Sequence, residues 1–122
     1  MYPATYDLRL YRGDFFELTF VLREATWDGT QWVPGLPMNL TEWSGNAQIR
    51  STYDAAGVLS TFEVEIVDEA GGVVRLSMPG DQTAMIAETA AVWDVQLTDT
   101  SIPPRVHTYL RGKVTIDKDV TR

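Results

Sequence analysis

The sequence predicts an all-β fold: a sandwich or barrel of about seven antiparallel strands with one short helical turn. Near the start, Phe16, Leu18 and Phe20 alternate with the residues between them, and the same alternation runs through 110–116 near the end. Alternation over this many residues is typical of half-buried strands. Turn-forming residues recur between such segments, as they do in sandwiches and barrels.

Three regular strands are predicted in the first half of the chain. The turn at 11–14 separates the first two, because Gly13 supplies a positive φ and Asp14 can bond its own backbone. The third strand has Ala47 and Ile49 on one face. The predicted strands are 5–10, 15–23 and 45–51.

A longer excursion occupies 24–35 and contains two tryptophans. Asp28 followed by glycine, between Trp27 and Trp32, indicates a tight hairpin. The proline-rich residues 34–37 are expected to end any strand pairing.

Four strands are predicted in the second half, and one of them supplies a core tryptophan. Trp93 alternates with Val95 and Leu97, so its side chain is expected to lie in the core. A short helical turn over 82–87 precedes that strand, with Asp81 as its cap. The four predicted strands are 58–67, 73–78, 91–98 and 106–117.

Composition limits the classes of function. The 122 residues fit one domain and contain no cysteine, which excludes disulfides and thiolate metal sites. The net charge of −7 makes nucleic acid a poor partner. The start lacks the pattern of a signal peptide, and no apolar run is long enough for a membrane span, so neither is expected.

No set of residues predicts catalysis, a cofactor or a metal. His107 is the only histidine and is interpreted as a surface residue. Asp117 and Asp119 lack the spacing of a calcium loop and are interpreted as solvated turn acids. The Arg12-Gly13-Asp14 tripeptide is interpreted as a turn, not an integrin ligand. A non-enzyme without cofactors is therefore expected.

Four blocks in order along the chain carry a family resemblance. They resemble small β-sandwich proteins of tailed phages and prophages, similar to the N-terminal domain of phage baseplate upper proteins. The blocks are 8–18 (LRLYRGDFFEL), 38–50 (MNLTEWSGNAQIR), 82–97 (QTA followed by VWDVQL) and 110–122 (LRGKV followed by DVTR).

The resemblance implies an immunoglobulin-like sandwich and a structural role in the virion. The expected function is a minor tail or adaptor protein that docks to neighbouring virion proteins at the tail or baseplate, with capsid decoration as the alternative. Baseplate upper proteins carry a long fibre-like extension after this domain, which this sequence lacks, so a stand-alone subunit is expected. Such a protein would be made in the host cytoplasm, would pair with other virion proteins or with copies of itself, and would need no membrane or nucleic acid.

The candidate interaction surface is Trp27, Asp28 and Trp32. The two tryptophans could stack on each other and fold back onto the sandwich, or they could be exposed anchors for a neighbouring subunit, a role in which Trp is enriched. In a third reading, from another class of protein, they hold a host glycan in a carbohydrate-binding module.

Overall fold

The computed structural model describes residues 4–118, and these form ten strands and one short helix. The all-β prediction and the single helical turn are confirmed. The elements are β1 (Ala4–Thr5), β2 (Leu8–Tyr11), β3 (Phe16–Val21), β4 (Arg23–Trp27), β5 (Trp32–Pro37), β6 (Ser44–Arg50), β7 (Ser60–Asp68), β8 (Val73–Met78), α1 (Gly80–Thr83), β9 (Ala90–Thr98) and β10 (Val106–Asp117).

The main sheet runs in the order β1-β10-β9-β6-β7-β8-β3, and β2 also pairs with β10. All pairs are antiparallel except those of β1 and β2 with β10, which are parallel. Strand β7 is shared: 60–62 pairs with β6, and 63–68 pairs with β8. The sheet therefore changes partner strands between Phe62 and Glu63 of β7, which divides it into two layers.

The core lies between these two layers. Phe62 of β7 contacts Phe16 of β3 on one side and Trp93 of β9 on the other, with ring centroids 5.6 Å and 6.1 Å away. Trp93 is 1% exposed, which confirms its predicted place in the core. Alternate residues of β8, β9 and β10 are buried, as the period-two pattern predicts.

The start of the chain differs from the single strand predicted over 5–10. It forms two short strands with a break at Tyr6 and Asp7. At the break, the Asp7 carboxylate accepts a hydrogen bond of 2.9 Å from the Lys113 amide. The Tyr6 carbonyl oxygen meanwhile accepts a bond from the Trp93 indole.

The helix prediction was right in kind but wrong in its bounds and its cap. Helix α1 spans Gly80–Thr83, and Pro79 is its N-cap with no side-chain cap bond, so Asp81 lies inside the first turn. Thr83 is fully buried instead. Its hydroxyl donates to the carbonyl oxygen of Asp14 (2.9 Å) or Gly80 (3.0 Å) and accepts from the Gly13 amide (3.1 Å).

The expectation that 34–37 would end strand pairing was wrong. Strand β5 includes Pro34 and Pro37, which pair with Ala25 and Arg23 of β4. Proline is tolerated there because the β4–β5 ribbon has only two strands, so β5 is an edge strand and a missing N–H can face away from its partner.

Candidate functional site

The β4–β5 arm, residues 23–37, is the site that the sequence singled out. Its two strands pair only with each other among the described strands. It is fixed at its base, where the Leu22 amide donates to the Gly72 carbonyl and the Met38 amide donates to the Leu22 carbonyl, both at 2.9 Å. Leu22 is buried in the core. The arm is therefore a two-stranded ribbon held at one end by the sandwich.

The two tryptophans of the candidate surface meet at the tip of the arm. Trp27 and Trp32 are paired across the ribbon, and their rings contact each other edge-to-face, 5.4 Å apart at an interplanar angle of 63°. They are 54% and 68% exposed. They contact each other, as one of the readings expected, but much of both rings is exposed.

Asp28, the third residue of the candidate surface, organises the loop between the tryptophans. One of its carboxylate oxygens accepts bonds from the Thr30 amide (2.8 Å), the Thr30 hydroxyl (2.9 Å) and the Gln31 amide (2.9 Å). These bonds favour the charged form and lower the pKa of Asp28, with the Thr30 amide as the largest cause. Gly29, at φ 106°, allows the tight return of the chain.

His107 contacts three neighbouring side chains. Its ring stacks on that of Trp43, with a centroid distance of 5.7 Å and an interplanar angle of 19°. The ring of Tyr109 also contacts it, at a centroid distance of 5.8 Å. Its Nε2 is 3.0 Å from an oxygen of Asp99. Within residues 4–118 this is the only hydrogen bond of its side chain.

Asp99 ties His107 to the loop that precedes β10. Its other oxygen accepts bonds from the Arg105 amide (2.9 Å) and the Ser101 amide (3.0 Å). The hydrogen bond with His107, followed by that from Arg105, holds the pKa of Asp99 well below its usual range. The Asp99 carboxylate thus links the loop that precedes β10 to His107 of β10.

The Arg12-Gly13-Asp14 tripeptide forms a turn, as interpreted from the sequence. The Arg12 guanidinium donates to the carbonyl oxygens of Ile86 (2.7 Å), Ala87 (2.6 Å) and Glu88 (3.1 Å). Gly13 has φ 90°, where glycine is favoured. The arginine of the tripeptide is occupied by the sandwich itself.

A polar groove that the sequence did not single out lies on the outer face of β6 and β9. Its volume is about 310 Å³. Its lining residues are Asn46, Gln48, Arg50, Tyr53, Val92, Trp93, Asp94 and Gln96. Alternation alone marks most of these as outward-facing, but only the strand register shows that they converge.

The acidic residues do not assemble into a metal site in the described part of the chain. No group of three or more His, Asp or Glu side chains within 4–118 could hold an ion. Asp117 instead forms an ion pair of 2.6 Å with Arg9, and Asp119 lies outside the described residues. No helix over 4–118 has the length and apolar character that a membrane crossing requires.

Comparisons with known proteins add little to this geometry. No protein-family model and no curated protein matches the chain. Among solved structures, it is similar to a nucleoside hydrolase-related hypothetical protein from Saccharophagus degradans that is associated with carbohydrate metabolism, at a TM-score of 0.35 and 14% identity. The similarity covers 93% of this chain but 23% of the other, so the chain spans less than a quarter of that protein's length. A likeness of this size carries no argument, and the resemblance to phage proteins stays a prediction.

Proposed function

We propose that this protein is a non-enzymatic structural component of a tailed-phage or prophage virion that docks to neighbouring virion proteins at the tail or baseplate. The observation that carries the proposal is the β4–β5 arm, which among the described strands pairs only with itself and presents two exposed tryptophans at its tip. The virion assignment itself rests on the sequence resemblance described above.

The tip of the arm has the composition of a protein-binding anchor. Trp27 and Trp32 expose about half and two thirds of their surface, and Leu36 further along β5 is 76% exposed. Tryptophan is enriched among the residues that dominate binding energy at protein interfaces. When a partner covers large aromatic rings that were exposed to water, the free energy of the system falls.

The tip is also held by contacts within the arm itself. The Asp28 carboxylate holds the loop through three hydrogen bonds, and the tryptophans contact each other. A preorganised anchor loses less conformational entropy on binding, so more of the contact energy appears as affinity.

The geometry of the tryptophan pair disfavours the glycan-platform reading of the same residues. A sugar ring stacks on a flat aromatic face, whereas the rings of Trp27 and Trp32 meet at 63° and so offer no common plane. Two exposed rings in edge-to-face contact fit a pocket in a protein partner better than they fit the flat face of a sugar. Capsid decoration is the alternative location, and the same arm would serve it.

The test is a double substitution at the tip, Trp27→Ser with Trp32→Ser. The isolated protein should keep its melting temperature, because neither ring is in the core. Its incorporation into particles should fall steeply, since a buried Trp anchor contributes on the order of 2 kcal/mol or more to binding. Purified particles are scored for the protein by quantitative mass spectrometry, and imaging of labelled wild-type particles separates tail from capsid.

The matched control is Tyr11→Ser with Phe15→Ser, which removes two exposed aromatics from a different part of the surface. The control should be incorporated normally. Normal incorporation of a folded tip variant would refute the arm as the docking element. Normal assembly with lost adsorption to host cells would favour the glycan-binding reading instead.

A further inference from the structure

The strand register brings the polar side chains of the groove on β6 and β9 into facing rows. Gln48 of β6 lies opposite Asp94 of β9, and Asp94 lies opposite Arg111 of β10. Two residues along each strand, on the same face, Asn46 lies opposite Gln96. The outer face thus presents amide, carboxylate and guanidinium groups side by side.

Three of these side chains form no hydrogen bond within the described part of the protein. They are Asn46, Asp94 and Gln96 over residues 4–118, and all three line the groove. Burial raises the pKa of Asp94, and the nearby charges of Arg50 and Arg111 oppose that effect only in part. A partly desolvated carboxylate of this kind gains from a donor brought by a ligand.

One wall of the groove is fixed in place. Arg50 donates to the carbonyl oxygens of Ala55 (2.8 Å) and Ala56 (2.9 Å) and to the side chain of Gln48 (3.0 Å). Tyr53 donates its hydroxyl hydrogen to the Gly112 carbonyl (3.1 Å). The 51–57 loop is therefore tied to both flanking strands, β6 and β10.

Tyr53 adds an apolar surface to this wall. The guanidinium of Arg111 lies 4.0 Å from the centre of its ring, and the side chain is 46% exposed. An aromatic ring beside paired donors and acceptors suits a ligand that has both C–H faces and hydroxyl groups.

The charges of the groove restrict the ligand further. Charges of both signs lie side by side here, because Asp94 is close to Arg50 and Arg111, so neither a simple anion nor a simple cation meets charges of one sign only. An apolar ligand would leave the amides and the carboxylate without partners, which is costly. A neutral ligand whose hydroxyls both donate and accept satisfies all of these groups.

We propose that the groove on β6 and β9 binds a neutral saccharide, of one or two sugar units at its volume of about 310 Å³. Asp94 accepts hydrogen bonds from sugar hydroxyls, Asn46 and Gln96 donate and accept, and Tyr53 packs against a sugar face. This site is separate from the β4–β5 arm and does not depend on the docking role of the arm.

The experiment starts from a glycan array carrying bacterial surface saccharides, probed with the full chain. The mono- or disaccharide unit of the strongest hit is then titrated by calorimetry and by amide NMR shifts. We expect Asp94→Ala to weaken binding at least about tenfold, and the shifts to map to 46–50 and 92–96. Glu63→Ala, which removes an exposed carboxylate from β7, is the matched control and should bind as the wild type does.

Several outcomes would overturn the proposal. They are an array without a hit, full binding by Asp94→Ala, or inorganic phosphate competing for the groove. If Asp94→Ala fails to fold, Asp94→Asn and Gln96→Ala carry the same comparison. The Trp27→Ser/Trp32→Ser variant should keep its sugar affinity, and loss of affinity in that variant with retention in Asp94→Ala would move the sugar site to the arm.

Discussion

The indole Nε1 of Trp93 donates a hydrogen bond of 2.8 Å to the backbone carbonyl oxygen of Tyr6. The bond joins the largest buried side chain of β9 to the break between β1 and β2. It satisfies the one polar side-chain atom of a core tryptophan, and it ties the first strands to β9.

Trp93→Ala should unfold the protein or nearly do so. Truncation of a buried aromatic typically costs about 3 to 5 kcal/mol, a large part of the stability of a small domain. Urea denaturation followed by circular dichroism measures the loss. Trp93→Phe keeps most of the packing but leaves the Tyr6 carbonyl without its donor, so its cost should be smaller. An unchanged melting temperature for Trp93→Ala would contradict the core position.

Gly112→Ala should destabilise the protein because β10 has no room for a side chain at this point. A Cβ on Gly112 would collide with the carbonyl group of Tyr6, the same group that accepts the Trp93 bond. Overpacking of this kind typically costs about 1 to 3 kcal/mol. Gly57→Ala is the matched control, since its Cβ would meet nothing within 4 Å. Equal melting temperatures for the two variants would refute the close approach of the first strands.

Thr83→Val should cost about 1 to 3 kcal/mol, although it conserves shape. The Thr83 hydroxyl bridges the Gly13 amide and the Asp14 carbonyl in a fully buried position, and valine would leave the amide unpaired. Thr83→Ser keeps the hydroxyl and should lose less stability. Differential scanning calorimetry compares the two. A more stable valine variant would show that the hydroxyl contributes nothing there.

Stability should fall in acid because of the bond between Asp99 and His107. The pKa of Asp99 is depressed in the folded protein, so its stabilising effect is present above the unfolded value near 3.8 and is lost as the pH falls. The gap in unfolding free energy between wild type and Asp99→Ala should therefore narrow below about pH 4. Urea titrations from pH 6 to pH 2.5 measure that gap. Asp54→Ala, which removes an exposed acid, is the control, and a gap that is constant with pH would contradict the role of Asp99.

The sequence predicted the regular strands well because their side chains alternate between core and solvent. Strand β10 was predicted with its observed bounds, and the inward positions of Trp93, Val95 and Leu97 were all correct. Period-two burial is a local property, so it can be read from neighbouring residues.

The features that the sequence missed depend on distant parts of the chain. Pro34 suggested a strand end, but it is tolerated because β5 has a free edge, which only the sheet order reveals. Asp81 suggested a helix cap, but α1 begins two residues earlier than predicted, at Gly80 after Pro79. Gln48, Asp94 and Arg111 converge only through the register of three strands, so the groove had no local signal.

The parallel pairing of β2 with β10 bears on how the domain responds to mechanical force. Leu8–Tyr11 lies beside 114–117 and runs in the same direction, so the two ends of the described chain leave the sandwich at opposite poles. Tension applied between those ends would shear the two strands past each other and strain all of their hydrogen bonds together, whereas a hairpin would unzip one bond at a time. Pulling along this axis therefore meets more resistance than peeling the same two strands apart would.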